Sequence, residues 1–188
     1  MIMKPARFLM QVSIFKSEDM KRIFLFAALL ISVSIQPLRA QNAAVITKFN
    51  KTLTSYYDLK NALATDKAPE AQQLATPLVA AVKAVPHAGF ATAFQHQLWM
   101  EQSAIIIEQS NAITATADLA AQRKIFRAVS DAFVKLATEL KINSSTVYVQ
   151  YCPMGKYNWL NEVKAVQNPF YGSQMYDCGE VKETLAKK

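Results

Sequence analysis

The sequence predicts an all-α fold, an antiparallel four-helix bundle followed by a loop-rich C-terminal flap that contains one short extended segment. Three observations carry this expectation. Apolar residues recur at helical spacing through four stretches between Val45 and Leu140, the connections between those stretches are short, and the 188-residue chain holds only four glycines.

The first helix is expected over Val45–Ala64, where Ile46, Phe49, Leu53, Tyr56, Tyr57 and Leu63 form one stripe, and Asp66 to Pro69 breaks it. A second stretch, Pro69–Val85, opens with proline in the first turn and aligns Leu74, Leu78, Val82 and Val85. Pro77 should kink it, and Pro86-His87-Ala88-Gly89 should turn the chain. Ala91–Ala115 carries Phe94, Leu98, Ile105, Ile106 and Ile113 without an internal glycine or proline, which predicts a long third helix. Thr116 or Asp118 offers a cap for a fourth, which runs to about Leu140 with Leu119, Phe126, Val129, Phe133, Leu136 and Leu140 inward.

After Asn143-Ser144-Ser145 the period changes. Thr146 to Tyr151 alternates β-branched and aromatic residues as an extended segment does. Gly155, Asn168-Pro169 and Gly172 signal turns, Trp159-Leu160 and Phe170-Tyr171 are apolar anchors, and Gly179 precedes a short charged end for which a helix is the reading.

Residues 1–40 are expected to be a leader. Met20-Lys21-Arg22 supplies a positive start, Ile23 to Ile35 an apolar core and Leu38-Arg39-Ala40 a cleavage site, so the reading is a secretory signal peptide with Met20 as the true start and cleavage after Ala40. The competing reading is an uncleaved anchor, although the apolar core is shorter than the roughly 20 residues a spanning helix needs. The remaining 148 residues, 41–188, make one domain, expected in the periplasm or secreted, with no transmembrane segment. Six of the 21 basic and two of the 14 acidic residues lie in the leader, so the formal charge of +7 falls to +3 in the mature chain. No run of Lys and Arg in it would track a phosphate backbone, which argues against nucleic acid as a partner.

Sulfur is concentrated near the C-terminus, where Cys152-Pro153-Met154 precedes Met175 and Cys178, the two cysteines being the only ones in the chain. Two readings stay open. Cys152, Met154, Met175 and Cys178 are soft donors suited to Cu(I) or Ag(I), and less to zinc, for which methionine is a poor ligand. Equally, export favours a Cys152–Cys178 disulfide, and closing a loop between residues 26 positions apart would stabilise the fold by roughly 3 to 4 kcal/mol on the entropy model.

His96 and Met100, one helical turn apart with Trp99 beside them, form a weaker candidate metal site. The plainer reading of each is a surface residue. His87 is no stronger. Trp159 could shield a cuprous ion by a cation–π contact, but a large aromatic beside Leu160 is more often a core anchor. No nucleophile motif or carboxylate pair accompanies Cys152, so no enzyme is expected. Arg123, Arg127 and Asp131 have the spacing of an exposed charge ladder on the fourth helix.

The run Val147 to Met154, then Trp159-Leu160, Asn168 to Gly172, Met175 and Cys178 to Val181, with Tyr56-Tyr57, Leu59-Lys60 and Ala62-Leu63 upstream and Gln122-Arg123, Phe126 and Val129-Ser130 in the fourth helix, resembles a family of secreted bacterial domains of unknown function, number thirty-three forty-seven. On these residues the resemblance covers nearly all of the mature chain. Members also occur fused to periplasmic adaptor subunits of copper and silver efflux pumps, and Tyr151-Cys152-Pro153-Met154 is similar to the start of a heavy-metal-binding motif in such proteins. The resemblance therefore implies metal handling, with a periplasmic efflux or metal-handling protein as partner. The turn Gly155-Lys156-Tyr157-Asn158 is shorter than the family's usual loop, and Asn161 stands where serine is common.

Overall fold

Four helices follow one another along the first hundred described residues of a computed structural model, which describes residues 42–188. The leader and cleavage site expected within 1–40 lie outside the described residues. Helix α1 covers 42–64, α2 Ala68–Lys83, α3 Ala93–Thr114 and α4 Leu119–Leu140. Among the described residues no helix is long and apolar enough to cross a membrane.

The helix ends follow local chemistry. Proline sits in the first turn of α2, where its missing N–H costs nothing, and α2 continues through the exposed Pro77. Thr92 caps α3 by accepting from the Gln95 N–H at 3.1 Å, while the Gln95 side chain accepts from the Ala91 N–H at 3.1 Å, much as in a capping box. For α4 the cap is Asp118, whose carboxylate accepts from the Ala120 N–H at 3.0 Å, and Lys141 closes the helix in the left-handed region at φ 50°.

The apolar stripes meet in one core, in which Phe49, Tyr56, Leu63, Leu78, Trp99, Ile106, Phe126 and Phe133 are wholly buried. Tyr56 stacks on Phe126 with ring centroids 5.5 Å apart and lies 4.5 Å from Phe133. Of the apolar residues of α3, Leu98, Ile106 and Ile113 are buried, while Phe94 and Ile105 are exposed.

The C-terminal region departs from the all-α expectation. Where one extended segment in a loop-rich flap was expected, three strands form an antiparallel sheet in the order β2-β1-β3, with β1 at Val147–Cys152, β2 at Tyr157–Asn161 and β3 at Glu180–Leu185. The charged end read as a helix is the third strand. Its own residues bury little; what makes it a strand is the second edge of β1, whose unpaired N–H and C=O groups it satisfies. Asn143 holds its far end by donating to the carbonyls of Leu185 at 3.3 Å and Ala186 at 2.9 Å.

The sheet joins the core through Val149 and Leu160, paired across β1 and β2, and through Trp159, and a short 3-10 turn at Gly172–Gln174 lies between β2 and β3. Gly172 has φ +56°, and a Cβ there would collide with the paired side chains of Arg123 and Asp66, so only glycine lets this turn pass so close to them. Arg123 is correspondingly not part of an exposed ladder. Its guanidinium, 15% exposed, donates to the carbonyls of Leu63 at 2.7 Å and Pro169 at 3.0 Å and pairs with Asp66, tying α4 to the end of α1 and to the C-terminal region. Only Arg127 and Asp131, 3.9 Å apart and both more than half exposed, match the expected surface pair.

Candidate functional site

Cys152 is the last residue of β1, and the alternation of that strand turns its side chain to the buried face. Cys178 lies one residue before Gly179, in the segment that leads into β3. The link between the two is Asn168. Its side-chain amide donates to the Cys178 carbonyl at 2.9 Å, its carbonyl oxygen accepts from the N–H groups of Phe170 at 2.9 Å and Tyr171 at 3.3 Å, and its own N–H donates to the Tyr176 carbonyl at 2.7 Å. A buried asparagine with those four bonds shapes the segment into a turn that returns Cys178 to the end of β1.

The result is two free thiols with their sulfurs 3.3 Å apart, one buried and one half-buried. They are not equivalent. Burial works against ionisation of Cys152, yet the N–H of Gly155, the Cys178 thiol, the N–H of Met154 and the Asn168 side chain all point to its sulfur and together hold its pKa below that of an ordinary thiol. Cys178 is pushed the other way, first by its hydrogen bond to Cys152, then by burial and by the charges of Cys152 and Asp177. Of the two thiols, Cys152 is therefore the one whose surroundings favour the thiolate.

The structure thus brings together the two cysteines named from sequence. Both methionines flank them: Met154 stands in the β1–β2 turn with its side chain 70% exposed, and Met175, half-buried, ends the 3-10 turn and accepts the Cys178 N–H on its carbonyl at 3.1 Å. The donor set suits a soft ion, because two thiol sulfurs at this separation can reach one metal; with metal–sulfur bonds of about 2.3 Å they subtend roughly 90° and open a little to approach a tetrahedral angle.

His96 is exposed and sets its ring edge-on to Phe90 at 6.3 Å. Met100, also exposed, lines a shallow hollow with Trp99, Ser103 and His87, so it is His87 that shares its surroundings. Among the described residues no three His, Cys, Asp or Glu side chains converge. Trp159 is wholly buried and donates its indole N–H to Gln150 at 2.9 Å, as a core anchor does.

Sequence reasoning missed what lies under the sheet. Lys60 is 0% exposed, with its ammonium 2.5 Å from the Asn161 side-chain oxygen, 2.9 Å from that of Gln167 and 3.3 Å from the Glu162 carboxylate. Burial lowers its pKa from the ordinary 10.5 to about 8, against the pull of Glu162. A signal for it existed, since Lys60 falls four residues after Tyr56 on the same stripe as Phe49, Leu53 and Leu63.

No curated protein and no solved structure matches the chain. The family match runs over residues 52–145, from α1 to just before β1, so Cys152, Met154, Met175 and Cys178 stand outside it, and the wider span suggested by the resemblance is narrowed to the helices. Matched over half of its 188 residues, the chain belongs to the family described as Protein of unknown function (DUF3347).

Proposed function

We propose that this protein is an exported accessory that binds or relays a soft monovalent metal ion, Cu(I) or Ag(I), through Cys152 and Cys178, with Met154 and Met175 as neighbouring thioether donors. The single observation that carries the reading is the 3.3 Å approach of the two sulfurs. The exposure of Met154, two residues from the buried Cys152, suits an ion that arrives from, and leaves to, a periplasmic efflux or metal-handling partner. On the same reading the helices pack as an antiparallel bundle, a rigid base for the donors, and the short links between consecutive helices support that arrangement.

Anaerobic Cu(I) titration against a chromogenic chelator tests it. Cys152→Ser should weaken binding by more than the roughly 100-fold that loss of an outer-shell partner costs. Met175→Leu should weaken it less, with the unfolding midpoint unmoved. Unchanged Cu(I) affinity in Cys152→Ser would rule the metal site out.

The same sulfur separation favours a second reading, a binding or structural module for a protein partner in which the thiols give two electrons and two protons to an external oxidant and become a Cys152–Cys178 disulfide. Intact mass of the secreted protein after alkylation, with and without reductant, separates the two: alkylation without reductant supports the metal reading, and alkylation only after reduction supports the crosslink.

A further inference from the structure

A cavity of about 580 Å³ lies along α4, away from the two sulfurs. Ala120, Arg123, Lys124 and Arg127 line one side, a spacing that places all four on one helical face. Tyr157, Phe170, Tyr171 and Gln174 line the other. No carboxylate is among the lining residues.

We propose that this cleft is a binding site for a small organic anion that carries a planar aromatic ring. Two independent features of the cleft select that chemistry. The first is charge. Arg123 is fixed by the carbonyls of Leu63 and Pro169 and its charge is met by Asp66, so it acts mainly as a rigid part of the wall. Lys124 is exposed, and Arg127, more than half exposed, has only a 3.9 Å approach from Asp131. A carboxylate or phosphate entering between them meets two cations that water, rather than protein, now solvates, and a guanidinium offers it paired donors.

The second feature is a wall of aromatic rings tilted against one another. Tyr157 lies 4.4 Å from Phe170 and 6.3 Å from Tyr171 between ring centroids, and the Arg127 guanidinium sits 5.1 Å over the Tyr157 ring. An aromatic ligand extends this row of π faces and places its anionic group beside Arg127. The volume matches small-molecule sites, which span roughly 300 to 1,000 Å³. The row is also held in place from behind: Gly155 leaves no room for a Cβ beside the Tyr157 ring, so the loop that follows Cys152 backs the aromatic wall.

The test is calorimetric titration of the full chain with phenyl phosphate, with inorganic phosphate and phenol as its two halves and benzoate as the carboxylate counterpart. One of the two aromatic anions should bind at least about tenfold more tightly than inorganic phosphate or phenol, and Arg127→Gln and Lys124→Gln should each weaken it by about tenfold. Both side chains are exposed, so the variants should unfold at the parent midpoint, which keeps a loss of binding interpretable. Lack of binding by either aromatic anion at millimolar concentration, or equal affinity in the parent and both variants, overturns the proposal. Neither result bears on Cu(I) affinity, so this site stands or falls apart from the thiol pair.

Discussion

Between α1 and α4 the side chains that meet at the centre are Phe49, Leu63, Leu78, Trp99, Ile106, Phe126 and Phe133, and their only shared requirement is shape. Beneath the C-terminal sheet the centre is built from Lys60, Gln150, Asn161 and Asn168, every one wholly buried and hydrogen-bonded. Gln150 is the hub of that second region. Its amide N–H group donates to the carbonyls of Val163, Lys164 and Ala165 at 3.3, 3.2 and 3.0 Å, and its oxygen accepts from Trp159 at 2.9 Å and Asn161 at 3.0 Å. Helices satisfy their own backbone, so their interface is free to be apolar. A three-stranded sheet with long irregular connections leaves carbonyls inside that nothing but a side chain can reach, and this region spends its interior positions on amides for that reason.

The contrast fails if both regions respond alike to substitution. Phe133→Ala should have the largest effect, a loss of about 3 to 5 kcal/mol by urea unfolding, because it opens a cavity against the buried Tyr56 ring. Gln150→Leu keeps volume and adds apolar surface, yet should cost about 2 to 3 kcal/mol, since the Trp159 and Asn161 donors and three carbonyls lose their partner. If Gln150→Leu is neutral, the sheet region is held by packing after all.

The smallest effect at neutral pH, and the sharpest test, comes from Lys60→Met. Burial lowers the Lys60 pKa from 10.5 to about 8, so between these values the unfolded chain binds a proton that the folded chain does not, and stability should climb as pH rises through that window. Below about pH 8 both states carry the proton and this contribution is flat. From about pH 10 upward the trend turns over, because burial raises the Tyr56 and Tyr57 phenols and only the unfolded chain ionises them. Lys60→Met should remove the climb between pH 8 and 10 and leave the turnover. A climb that persists in the variant would assign it to another group.

Much of the site was also open to a linear reading, but unevenly. Cys152 and Cys178 are the chain's only cysteines, and their pairing needed no geometry to suspect. Which of them ionises more readily could not be read, because it depends on N–H groups of Gly155 and Met154 and on Asn168, whose directions exist only in the folded turn. Arg123 shows the same limit from the other side. Its spacing to Arg127 matches a surface ladder, while the turn at Gly172 and the end of α1 cover it and change its task to holding segments together.

Periodicity by itself determined the four helices and the stripes that form the core, since a helix is written in contacts three and four residues apart. Tertiary structure decided the rest. Glu180–Leu185 is a strand only because β1 offers it an edge, Lys60 is buried only because Asn161, Gln167 and Glu162 arrive from a hundred residues away, and the aromatic cleft exists only where α4 meets the segment from 157 to 174. Each of these depends on groups distant in the chain satisfying one another, and no local pattern records which distant groups those will be.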